Sequence, residues 1–171
     1  MNLETPHPEL DKLIGEIAVQ RRPGVLREFA CWCARQVGTL SGDNEKLVKT
    51  AERYARGEIT FKQLRAGNDA LAGSLSAACL IGIYKCYDPA AAVRLVCGAT
   101  HNANAYYAAI DAAKWMRARV LLSSRRARDP MVYSEQLLEE CARLQLTSLT
   151  LIASRPDHLG PLAGGSNEDG R

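Results

Sequence analysis

The sequence predicts an all-α protein: a single helical bundle of six or seven helices over residues 1–155, followed by a flexible tail at 156–171. Three observations carry that expectation. Alanine is abundant while aromatic residues make up only 6% of the chain, a composition that favours helices packed at close range. Apolar residues recur at three- and four-residue spacing, and nowhere alternate convincingly with the period of a strand. The breaks between these stretches carry helix-ending chemistry, at Arg21-Arg22-Pro23-Gly24, Ser41-Gly42-Asp43-Asn44, Gly57, Asp88-Pro89 and Asp129-Pro130.

The first helix is expected from about Glu9 to Arg21, with Leu10, Leu13, Ile14, Ile17 and Ala18 on one side. A second runs from about Val25 to Leu40, and a third follows an N-cap at Asp43 or Asn44. That third helix is amphipathic through Leu47, Val48, Ala51, Tyr54 and Ala55, and Gly57 ends it in the left-handed manner. Thr60 with Gln63 three residues on reads as a capping box opening a fourth helix toward 77–87, although Gly67, Gly73 and Gly82 interrupt it. Asp88-Pro89 starts a fifth helix. The polar Thr100-His101-Asn102-Ala103-Asn104 is a kink or a loop, after which an alanine-rich helix resumes. The last helix spans about Ser134 to Leu151 and carries Leu137, Leu138, Cys141, Leu144 and Leu149.

Charge and composition narrow the function. A net charge of +3 does not demand a polyanionic partner. No stretch reaches the roughly 18 uninterrupted apolar residues of a membrane span, and the first residues lack the order of a signal peptide, so a cytoplasmic protein is expected. The six cysteines are expected to be reduced and mostly buried.

Cys31-Trp32-Cys33 invites a metal or redox reading, which helical geometry removes. Residues two apart point about 200° from one another, so the two thiols cannot chelate one ion or pair with each other. Cys33 falls with Leu26, Phe29, Val37 and Leu40 on the buried stripe, and Trp32 at its edge. Cys31 faces the other way, between Arg27 and Arg35, where two guanidinium groups would favour a thiolate. It is the candidate reactive thiol, set against a plain packing role. No metal or cofactor is expected, and no catalytic residue is assigned. Glu52 with Glu58, and Glu139 with Glu140, read as solvated helix faces rather than catalytic pairs. The arginines between Arg117 and Arg128 offer an alternative, contact with nucleic-acid phosphates. Candidate interface anchors are Trp32, Arg35, Tyr84, Tyr87, His101, Tyr106, Tyr107 and Trp115.

Residues 26–37, LREFACWCARQV, followed by 46–67, KLVKTAERYARGEITFKQLRAG, resemble a bacterial group of all-helical proteins identified as immunity proteins of polymorphic toxin systems. Uncharacterised helical regions of large planctomycete-type proteins share the same plan. The resemblance is strongest over residues 25–70 and weaker over 25–150. It implies a helical bundle with no known chemistry, and carries over Phe29, Cys31, Cys33, Glu52, Tyr54, Ala55 and Gly57 as packing positions. Its implication is a non-catalytic module that binds another protein, such as a toxin. The oligomeric state is left open.

Overall fold

The computed structural model describes residues 7–40, 42–66, 89–124 and 130–156. These form helices α1 (Pro8–Val19), α2 (Pro23–Gln36), α3 (Gly42–Ala55), α4 (described over 61–66), α5 (Pro89–Ala99), α6 (Ala105–Ser124) and α7 (Pro130–Ala153), with no strand among the described residues. The all-α bundle is thus the fold. The expected extension of α4, the tail, Tyr84, Tyr87 and the arginines at 125, 126 and 128 lie outside the described residues.

Local chemistry sets the ends of these helices, with some differences from expectation. His7 caps α1, its Nδ1 accepting from the Leu10 N–H at 3.3 Å. Helix α1 stops at Val19, because Arg21 turns into the left-handed region at φ 54° ahead of Pro23. Helix α2 ends at Gln36 and not near Leu40, with Gly38 at φ 119° breaking the ladder. Helix α3 begins at Gly42, one residue before the expected cap, so Asp43 sits inside the first turn, where a carboxylate suits the helix dipole. Gly57 takes φ 74° after α3 as expected. The capping box at Thr60 and Gln63 forms in both directions, at 2.8 and 3.3 Å. Residues 100–104 form a loop, with the Asn102 and Asn104 side chains accepting from backbone N–H groups two residues on.

Two helices occupy the centre. Helix α2 buries Val25, Leu26, Phe29, Ala30, Cys33 and Ala34 in one continuous core and Cys31 in a second, smaller cluster with Ala51 and Leu64. Helix α6 contributes Ala105, Ala108, Ala109, Ala112 and Ala113, spaced three and four apart, and packs against α1, α2, α5 and α7. Small side chains along that stripe let the neighbouring backbones approach closely. This is the structural use of the alanine-rich composition.

The core also contains charge. Arg117 of α6 is only 6% exposed, and its Nη1 donates to Gln145 Oε1 at 2.9 Å. Gln145 is fully buried on α7, and its Nε2 donates to the Ala113 carbonyl at 3.0 Å and lies 3.4 Å from Met116 Sδ. Burial lowers the Arg117 pKa, so its side chain depends on this partner. Replacing Gln145 with alanine strands Arg117 and should cost about 2–4 kcal/mol. Urea unfolding will measure this, with the exposed Gln136→Ala as an unchanged control.

Candidate functional site

Helix α2 carries four side chains, Glu28, Cys31, Trp32 and Arg35, at the spacing that places them on one face, with Trp32 at its edge packed against the main core. Helix α3 runs alongside and supplies Glu52 and Ala55, Arg56 follows its last turn, and Arg155 comes from the end of α7. Together they line an open cleft of about 710 Å³. Its floor is aromatic: Trp32 is half-buried and stacks on Phe29, with ring centroids 6.0 Å apart and planes 11° from parallel.

Each cation of the cleft is matched by a carboxylate. Arg35 holds Glu52 through two parallel bonds, Nε to Oε1 at 2.7 Å and Nη2 to Oε2 at 2.9 Å, and reaches Glu45 Oε2 with Nη1 at 2.6 Å. Hydrogen bonding to Glu52 foremost raises the Arg35 pKa further, while Arg35 and Lys49 hold Glu45 below the usual carboxylate value. Arg56 pairs with Glu58 at 2.5 Å, and Arg155 pairs with Glu28 across the α2–α7 seam. Glu45 and Glu52 are seven residues apart on α3 and therefore share a face. That spacing was the available signal for this network, but only an antiparallel α2–α3 pairing brings Arg35 to it.

The predicted site residues divide accordingly. Trp32, Arg35 and Cys31 come together in the cleft. Cys31, however, is only 4% exposed, and burial, helped by Glu52, pushes its thiol up to about 12 against the opposing pull of Arg35 and Arg27. Of the two readings of Cys31, this arrangement favours the packing role over the reactive thiol, because burial outweighs the pull of both arginines. Arg35 serves the α3 glutamates. Arg27 is buried, donates to the Asn102 and Ala103 carbonyls at 3.0 and 2.6 Å, and lies 4.6 Å from the centroid of the Tyr54 ring. The other described cysteines, Cys33, Cys97 and Cys141, are also buried, and their thiols are raised likewise.

His101 is corrected as an interface residue, since it is 7% exposed and faces inward. Its Nε2 lies 2.8 Å from the Leu47 carbonyl, and a carbonyl can only accept, so Nε2 carries the proton. Tyr107 is 54% exposed, whereas Tyr106 and Trp115 are half-buried against the core. None of the three borders the cleft. Arg117 points inward and so cannot contact a phosphate, which removes one residue from the basic stretch considered for nucleic acid. Among the described residues, no three His, Cys, Asp or Glu side chains gather in a group able to hold a metal ion, and no helix is long and apolar enough to cross a membrane. No known protein family, curated protein or solved structure matches this chain.

Two outcomes follow. With Cys79 and Cys86 replaced by serine, the four remaining thiols should ignore a disulfide reagent such as DTNB at pH 8 until denaturant is added. A fast reaction abolished by Cys31→Ser would contradict this burial. Burial also holds the His101 pKa below its ordinary 6.5, so the fold carries it neutral while the unfolded chain protonates near 6.5. Its contribution is therefore complete above that value and is lost as pH falls through it toward the folded value. Urea midpoints should drop between pH 7.5 and 5.5, and drop less in His101→Gln.

Proposed function

We propose that this chain is a non-catalytic protein-binding module of the immunity or adaptor kind, and that it receives its partner on the α2–α3 cleft around Trp32. The observation that carries this reading is the composition of the cleft. A half-buried indole is ringed by Arg35, Arg56 and Arg155, and tryptophan and arginine are the residue types that dominate binding energy at interfaces. The guanidinium groups are already held by carboxylates, so they meet a partner in fixed positions and little side-chain entropy is lost on docking. Cys31, the nearest nucleophile in type, stands in the wall as a neutral thiol and contributes shape. The resemblance over residues 25–70 supports the immunity form of the reading, since that segment supplies every lining residue of this cleft except Arg155.

Arg56 and Arg155 at the rim, with Glu28 and Glu58 beside them, present both signs of charge. A complementary partner therefore carries an apolar side chain for the indole and charged groups of both signs for the paired rim. Affinity purification from the native host should recover such a protein with the wild-type chain, and Trp32→Ala/Arg56→Glu should lose it while keeping its fold. Trp32 and Arg56 contribute to an interface only if this cleft is used. Equal recovery by the double variant would place docking elsewhere.

A further inference from the structure

Helix α7 turns a second stripe toward solvent. Gln145, Leu149 and Ile152 fill the core, but Leu144 and Leu151 are 52% and 64% exposed. Leu144 thus departs from the apolar core stripe expected for this helix. The two leucines lie seven residues apart on one side of α7, with exposed Glu140 and Thr147 in line with them. Arg155 continues the line just past the last turn, where Glu28 of α2 holds its guanidinium. Along the helix the stripe reads acid, leucine, threonine, leucine, arginine, and Glu139 strengthens the acidic end.

We propose that this stripe pairs with its own copy, α7 against α7 in antiparallel orientation, about a twofold axis beside Thr147. Charge order selects both occupant and direction. The midpoint between Leu144 and Leu151 is also the midpoint between Glu140 and Arg155. Setting Leu144 against Leu151 of a second copy therefore sets Glu140 against Arg155 of that copy, and the twofold axis repeats both contacts. A parallel copy would place Glu140 on Glu140 and Arg155 on Arg155. Arg143 falls opposite the Thr150–Ser154 turn, which carries no cation, and Thr147 at the crossing is small enough for close approach.

The size of the surface sets the strength. About this axis α7 meets its copy over residues 142–153, and with Glu140 and Arg155 at the ends the contact spans about 24 Å, so a face about 10 Å wide buries on the order of 500 Å² over both copies. Stable pairs bury roughly 1,200 Å² or more, so the association is reversible and depends on concentration. It meets the cleft only at Arg155, which borders both surfaces, and does not rest on the proposed partner.

Sedimentation equilibrium from about 10 µM to about 1 mM brackets affinities of that class. The mass should rise from 18.7 kDa toward twice that value, while Leu144→Glu/Leu151→Glu stays at the monomer mass with an unchanged circular dichroism spectrum. A wild-type chain that stays monomeric throughout, or a double variant that associates equally well, overturns the proposal. Direction is read by cross-linking with Cys79 and Cys86 replaced by serine. Thr147→Cys should form an inter-chain disulfide under diamide, whereas Gln136→Cys should not, because antiparallel copies hold the two 136 positions about 34 Å apart along the axis. Efficient cross-linking at 136 would mean a parallel pair and would sink the assignment.

Discussion

Helix α2 is covered on most of its circumference, yet it carries two arginines within its fourteen residues. A guanidinium cannot give up its charge, so each must find partners wherever the packing leaves it. Arg27 finds two loop carbonyls and the face of Tyr54. Arg35 finds two glutamates of α3. Those contacts determine where α3 and the 100–104 loop can sit against α2, and hence the shape of the cleft between them. Arg22, at the start of the same helix, reaches the Ala153 carbonyl and ties down the end of α7.

The second constraint is closeness. Alanine-rich α6 gains little from each side chain it buries, so its contribution depends on backbones approaching enough for many weak contacts. Such an interface leaves no room for large polar groups. The two that do enter it, Arg117 and Gln145, satisfy each other and the Ala113 carbonyl, with two sulfur atoms nearby. This buried pair lies in the α6–α7 contact and specifies the register of α7 more sharply than leucines alone would. It also directs the opposite side of α7, with Leu144 and Leu151, outward.

Burial acts on the chemistry as well as on the packing. Arg35 and Arg27 both pull the Cys31 thiol toward its thiolate. In the folded protein desolvation outweighs them, and Glu52 both opposes the thiolate and occupies Arg35. The same desolvation keeps His101 neutral at the junction of α3 and the 100–104 loop. Two residues that look chemical in a linear reading are therefore structural, and the surface chemistry of the cleft is left to Trp32 and its ring of paired charges.

The linear chain by itself determined the helices, the capping box at Thr60 and Gln63, the stop at Gly57, and the opposite facing of Cys31 and Cys33. These depend on backbone geometry and on residues within a turn of one another, where spacing is already distance. Tertiary structure decided the rest: the inward turn of His101 and Arg117, the protonated Cys31, the Arg35 link to Glu45 and Glu52, and the exposure of Leu144. Each of those depends on which helix lies alongside and on how much water is removed there. Neither quantity is a function of local sequence spacing. Glu45 and Glu52 show the boundary well, since their shared face could be read from the sequence, while the arginine that makes them a site arrives only when α2 packs against it.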